Sequence, residues 1–384
     1  MHALAVSNFA AGALPLLVML LLIDIGSTFN TEVGVTGQTN TLYSVAAVVF
    51  ALLMGAFSIR FRHKSLLLIG LLFINISAVG CFLAQDFPQM VAGYALSGIG
   101  FAMISPMSIA LIGEHFAIEK RAKAVGWIIA GGALVYFVGA PLIAYAASFG
   151  SWRFAILVFV MPISLASLLL AWGGLHSVGK NSNPSAANSR TYLRSFGEVL
   201  SNRSALACLV GDFFRSGSFV AIVIFAASFG RQRFSQSREL ASIVILTGAL
   251  CYTIGSLICG AMVNKFGRKN LTVLGAFVSG AFVVLYVSIP SELLYVVSVF
   301  VASLFFGIIT SSANSLSLEQ VPKLRGTMMS IDSAAVNLGS AFGTAVGGAA
   351  LVSFNYEGLG LALGAMGIIA ALVFRLFTRD PTKQ

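Results

Sequence analysis

Long apolar runs alternate with short polar turns along nearly all of this chain. The runs predict helices at about 10–31, 40–59, 65–84, 89–112, 123–147 and 152–174, then at 204–229, 240–264, 270–289, 292–317, 325–353 and 357–378. A helix of about 20 apolar residues matches the hydrocarbon thickness of a bilayer, so each run is expected to span a membrane. The one long polar connector, 175–203, is rich in Ser, Asn and Gly with scattered Arg. It divides the chain into a six-helix half at 1–174, a cytoplasmic linker at 175–203 and a second six-helix half at 204–384. The expected fold is an all-α integral membrane protein with twelve transmembrane helices.

Two short basic turns carry a sign of duplication. Gly260-Ala-Met-Val-Asn-Lys-Phe-Gly-Arg-Lys-Asn270 lies between two apolar runs, and a degraded copy, Gly55-Ala-Phe-Ser-Ile-Arg-Phe-Arg-His-Lys-Ser65, lies earlier. Gly55 and Gly260 are 205 residues apart, and Glu114 and Glu319, each opening a later loop, share the offset of 205. One offset at two landmarks makes the halves copies of one unit, hence pseudo-symmetric.

Composition agrees with a bilayer as solvent. The chain is 58% hydrophobic and only 9% charged, where soluble proteins carry roughly 25% charged residues. Its net charge of +10 would suit nucleic acid, but the placement of the charges gives another reason. With both termini in the cytoplasm, 18 of the 23 Lys and Arg fall at cytoplasmic ends, 4 fall outside, and Arg215 is left within a span. That asymmetry is the positive-inside pattern of a multi-pass protein of the cell membrane, so no nucleic-acid partner is expected. The N-terminus lacks a basic leader, and its first run is read as an uncleaved helix. Cys81, Cys208, Cys251 and Cys259 lie in apolar runs without a C-x-x-C pair and read as small apolar fillers.

The turn at Gly260–Asn270 fits G-x-x-x-[DN]-[KR]-x-G-R-K and resembles the loop signature of the major facilitator superfamily, found there between helices two and three and again between eight and nine. Ser151-Trp-Arg-Phe154 resembles the W-R-x-x-F region opening the sixth helix, and Val321-Pro-Lys-Leu-Arg-Gly326 resembles the P-x-x-R-G turn before the eleventh. The stretch 327–348 is similar to that helix in the twelve-span drug:proton antiporters, including arabinose- and purine-efflux types. The resemblance implies alternating access, with Gly55, Arg60, Lys64, Gly260, Asn264, Gly267, Arg268 and Lys269 as a gating loop in two copies. The chain departs from that subgroup at four places. Tyr94 stands where the fourth helix carries an arginine, the fifth-helix motif reads Gly139-Ala-Pro-Leu-Ile-Ala-Tyr145, and Ile59 and Asn264 replace an acid.

Candidate chemistry rests on ionisable groups inside spans, which are costly there and mark function by default. Asp24 lies past the middle of the first helix with no basic residue within a helical turn. It can take up a proton in a low-dielectric site, meet substrate, or pair with a distant cation. Asp212 and Arg215, three residues apart in the seventh helix, can neutralise each other on one face. Alternatively Arg215 reaches Asp24 or holds an anionic substrate group. Asp332, two turns into the eleventh helix, is favoured by the helix dipole and is expected to latch onto Arg60 or Lys64 as a structural or gating contact, with substrate contact as the alternative. Asn30, Tyr94, Tyr136, Asn314 and Asn337 are candidates to line a substrate pocket, together with Thr310, Ser311, Ser312 and Ser315. Glycines at small-xxx-small spacing, Gly126, Gly131, Gly132 and Gly139 in the fifth helix and Gly339, Gly343, Gly347 and Gly348 in the eleventh, predict close helix packing and smooth faces for rocking.

No nucleotide, hydrolase or metal motif is present, including the G-x-x-x-x-G-K-[ST] loop, so no enzyme activity, cofactor or metal is expected. His2, His63, His115 and His176 all fall at predicted cytoplasmic edges, which does not suit a buried proton relay. The expected function is secondary transport of a small organic or drug-like solute by alternating access, with proton-coupled export as the first reading. Sodium is the alternative coupling ion, because a lone membrane carboxylate serves either. An uptake carrier or uniporter for a polar or anionic metabolite is the alternative function, favoured by Tyr94 in place of the arginine. A monomer in the lipid bilayer is the expected working form.

Overall fold

A backbone surrounded by hydrocarbon must satisfy its own hydrogen bonds, and a chain this apolar does so as helix. The computed structural model describes residues 2–115, 127–128, 131–175, 196–288 and 290–381. Among the described residues, eleven helices are long and apolar enough to cross a membrane. The last is two segments, because Phe354 and Asn355 leave helical geometry, Asn355 at φ 57°. Twelve crossing segments follow, as the hydropathy pattern predicts. Their hydroxyls largely fold back onto the helix, as in Ser7 to the Ala3 carbonyl (2.7 Å) and Thr253 to that of Ala249 (2.8 Å). Large apolar side chains remain exposed, Leu257 at 73% and Leu293 at 72%, which suits a lipid-facing surface.

The chain forms two compact units, Met1–Pro184 with Ser237–Ile243, and Ser185–Gln236 with Val244–Gln384. The first contains α1 (His2–Leu20), α2 (Leu22–Thr28), α3 (Val33–Gly37), α4 (Thr39–Arg60), α5 (His63–Leu83) and α6 (Phe87–His115). It continues with α7 (Gly131–Ser148) and α8 (Trp152–Gly174). A π-helical turn interrupts α7 at Val135–Gly139 and another interrupts α8 at Ile156–Val160. Within this unit α6 packs on α4 and α5, and α1 on α8.

The second unit is built on α9 (Arg203–Arg233), most of α10 (Arg238–Phe266), α11 (Arg268–Ser288), α12 (Glu292–Gln320) and α13 (Arg325–Phe377). Asn202 caps α9, its side-chain oxygen accepting from the backbone N–H of Ser204 (3.0 Å) and Ala205 (3.1 Å). The turn from α10 to α11 needs φ 80° at Gly267, a left-handed conformation that glycine adopts without steric cost.

The first span starts at His2, earlier than the expected position near 10. Ser7 and Asn8 suggest a polar lead-in, but both lie inside the packing. Asn8 donates to the Leu4 carbonyl (2.9 Å) and to Ser108 Oγ (3.0 Å), and Ser167 donates to Ser7 Oγ (3.3 Å). A polar side chain satisfied across helices reads as loop in hydropathy and as core in three dimensions. Most of the expected linker, together with Gly126 and His176, lies outside the described residues.

Candidate functional site

Two groups of ionisable side chains lie within apolar helices, one in each unit. In the first unit Asp24 is on α2, just past the break at Leu21. Arg238, the first residue of α10, belongs to this unit through the Ser237–Ile243 segment. Its Nη2 donates to Asp24 Oδ1 at 2.5 Å and its Nε to the same oxygen at 3.1 Å, while Nη1 donates to the Ala147 carbonyl at 3.0 Å. The Asp24 side chain is 14% exposed and that of Arg238 32%. The pair joins one acid to one base and is partly exposed. Trp152 Nε1 donates to Thr28 Oγ1 (2.9 Å), and Thr28 Oγ1 donates to the Asp24 carbonyl (2.8 Å), fixing the turn that presents the carboxylate.

Aromatic residues of the same unit converge elsewhere. Tyr94 is buried and stacks on Tyr43 with ring centroids 5.2 Å apart. Tyr136, half-buried on the π-helical turn of α7, is within electrostatic reach of both. Asn30 is exposed and left-handed at φ 53°. Its place is beside the Asp24 turn, apart from the tyrosines in the chain.

The second unit holds a drier cluster. Asp212, Arg215 and Asp332 are 0%, 4% and 2% exposed. Arg215 Nε donates to Asp212 Oδ1 at 2.7 Å and its Nη1 to Thr310 Oγ1 at 2.9 Å. Ser317 donates to Asp212 Oδ2 at 3.3 Å. The Asp332 carboxyl lies within hydrogen-bonding reach of Asp212 and electrostatic reach of Arg215, and its Oδ1 is buried without a hydrogen-bond partner. Glycines bring the two helices together here. A Cβ on Gly339 would stand 1.9 Å from the Phe213 carbonyl oxygen, and one on Gly343 2.2 Å from that of Gly217. Backbone therefore meets backbone between α9 and α13, and short carboxylates suffice to meet across them.

The remaining candidates divide. Of the α12 hydroxyls, Thr310 touches Arg215, while Ser311 pairs with Ser256 (2.5 Å) and Ser312 accepts from Thr272 (3.0 Å). Asn314 is exposed, and Asn337 donates to the Ser333 carbonyl of its own helix (2.8 Å). Lys64 donates to the carbonyls of Trp172 (2.9 Å) and Leu175, and Lys269 to that of Thr378 (2.8 Å). These loop lysines hold the carbonyl ends of neighbouring helices within their own units. Gly260 faces open space. Arg268 is the first residue of α11, next to Gly267. The surroundings of Gly55, Arg60 and Asn264 lie outside the described residues. Sequence reasoning missed Arg238 as the partner of Asp24. The available signal was its place among the few cations, with Arg153, Arg231 and Arg233, that the charge pattern puts on the far side from the loops.

Comparison with known proteins bears on what such groups serve. The model of the Major Facilitator Superfamily matches residues 3–235 and again residues 205–384. The Bacillus subtilis (strain 168) protein "Uncharacterized MFS-type transporter YwfA" is 24% identical over 369 residues, covering 96% of this chain and 89% of its own length. Multidrug resistance protein 2 of the same organism is 23% identical, covering 85% of this chain and 84% of its own length. Among solved structures, a D-xylose-proton symporter superposes with a TM-score of 0.81 at 18% identity, covering 98% of this chain and 97% of that one. At that identity the likeness is one of fold.

Proposed function

The chain belongs to the Major Facilitator Superfamily, a family of membrane transporters and not of enzymes, and on that premise we propose that it exports a small organic or drug-like solute in exchange for protons. The observation that carries the reading is Asp24, a carboxylate set into an apolar segment and bonded to Arg238 at 2.5 Å. A proton arriving at Asp24 removes the negative charge that holds Arg238, and loss of the proton restores it. Such an exchange of a proton for an ion pair is a two-state element that alternating access can use. The multidrug resistance relative supports the direction and the solute class. Half-buried Tyr136, near the buried stack of Tyr43 and Tyr94, supplies aromatic surface of the kind that receives a drug-like solute. The excess of Lys and Arg on one side supports a cell-membrane protein with both termini in the cytoplasm.

The test is proton movement in sealed vesicles of known orientation, with a pH dye inside and pooled candidate compounds outside. Compound-triggered proton flux opposite to the compound, abolished in Asp24→Asn, is the expected outcome. Compound flux without a proton signal, unchanged in Asp24→Asn, would return Asp24 to a structural role.

A second reading, uptake of a polar metabolite, has Tyr94 in its favour, in place of the fourth-helix arginine. In that reading Arg215 is the contact for an anionic group, but its guanidinium is already bonded to Asp212 and Thr310 and is 4% exposed. Proton flux in the same direction as the compound would select uptake over export.

A further inference from the structure

The cluster in the second unit has more acids than bases. Arg215 and Asp212 form a bonded pair that is neutral as a whole. Asp332 adds a second carboxyl against the same pair, 2% exposed, with one oxygen that has no hydrogen-bond partner. The groups that face it from the surrounding helices are few. From α9 they are Cys208, Asp212 and Arg215, with Lys269 of α11 within reach of Cys208 and Tyr252 of α10 within reach of Arg215. The Lys269 amine is bonded to the Thr378 carbonyl. With both carboxyls ionised, the three-residue cluster carries one uncompensated negative charge in a site from which water is excluded, a state that burial strongly disfavours.

We propose that Asp212, Arg215 and Asp332 form a proton-binding site in which Asp332 carries the proton. A hydronium ion gives its proton to the Asp332 carboxylate and leaves as water; the new O–H donates to the Asp212 carboxylate. Asp212, Arg215 and protonated Asp332 then sum to zero charge. The oxygen left without a donor is the carbonyl oxygen of a neutral acid, which tolerates that state far better than a carboxylate oxygen does. Release is the reverse step, with water or hydroxide as acceptor. Ser317 and Thr310 hold Asp212 and Arg215 in place and are positioning residues. This differs from the expected latch of Asp332 onto the first basic loop. It deepens the reading of proton-driven transport and rests on it for the use of the proton, although not for its binding.

The test is infrared titration of the purified full chain in lipid, following the carbonyl stretch of protonated carboxyl groups. The wild type is expected to show a protonated-carboxyl band at neutral pH that is lost on alkalinisation. Asp332→Asn should remove the band, and so should Asp212→Asn, which leaves one acid for one guanidinium. Asp332→Glu, which keeps the acid, should retain a band at a shifted frequency, and it guards against loss through misfolding. Asp24→Asn should leave the band in place. A band unchanged in Asp332→Asn, or no protonated carboxyl in the wild type across the pH range, overturns the proposal. Absence of compound-driven proton flux in wild-type vesicles, with the band still lost in Asp332→Asn, supports the site and overturns the reading of proton-driven export.

Discussion

Asp24 with Arg238 and Asp332 with Asp212 and Arg215 use the same residue types to reach different physical states. The first group is one acid and one base with side chains 14% and 32% exposed. Its two charges pair directly, and the pair is partly exposed. The second group is two acids and one base, all at most 4% exposed. Its charges balance when a proton is present, and water cannot make up the deficit. Burial and stoichiometry, more than the presence of an acid in a helix, therefore separate an ion pair that can open from a site that must hold a proton.

The comparison can be broken most severely at Arg215. Arg215→Ala leaves two buried carboxyls without a cation, and the loss of one partner from a buried pair costs about 3–5 kcal/mol. A large fall in Tm of the purified protein in detergent should follow. A Tm close to wild type would mean that the cluster is wetter than its geometry implies.

Gly339→Ala tests whether helix approach builds the cluster. The added Cβ would stand 1.9 Å from the Phe213 carbonyl oxygen, so α9 and α13 must separate. Overpacking of this kind costs about 1–3 kcal/mol, and the protonated-carboxyl band should change with it. An unchanged band would show that Asp212 and Asp332 meet without the close glycine contact.

Asp24→Asn sharpens the contrast. Breaking a partly exposed pair costs about 1 kcal/mol or less, so Tm should move little while pH-driven transport is lost. A fall in Tm as large as that of Arg215→Ala would make the two groups energetically alike. Ser317→Ala is the mildest change. It removes a long, 3.3 Å hydrogen bond to Asp212 worth about 0.5–1.5 kcal/mol, and a small Tm decrease with the band retained is expected.

Much of the fold is legible in the chain because the bilayer imposes one rule on every segment. Any run of about 20 apolar residues must be a closed helix, so the twelve crossing segments follow from hydropathy. Even the break between the last two, at Phe354 and Asn355, falls where the apolar pattern pauses. The start of α1 was the exception, since Ser7 and Asn8 find partners on other helices that hydropathy cannot see. The basic loops could be found by motif, but their behaviour could not. Lys64 and Lys269 hold backbone carbonyls, an assignment that needs the neighbouring helix ends in place.

The amino-acid sequence by itself determined that this is a helical membrane protein of duplicated design, with Asp24, Asp212, Arg215 and Asp332 as its costly groups. Those properties depend on composition and on period along one chain. Only the tertiary structure decided which acid meets which base. Asp24 meets an arginine 214 residues away, and Asp332 joins the Asp212–Arg215 pair across a contact that Gly339 and Gly343 make possible. The reason is geometric. A side chain of a few ångströms reaches only what helix rotation and close packing place beside it, and neither is written in hydropathy.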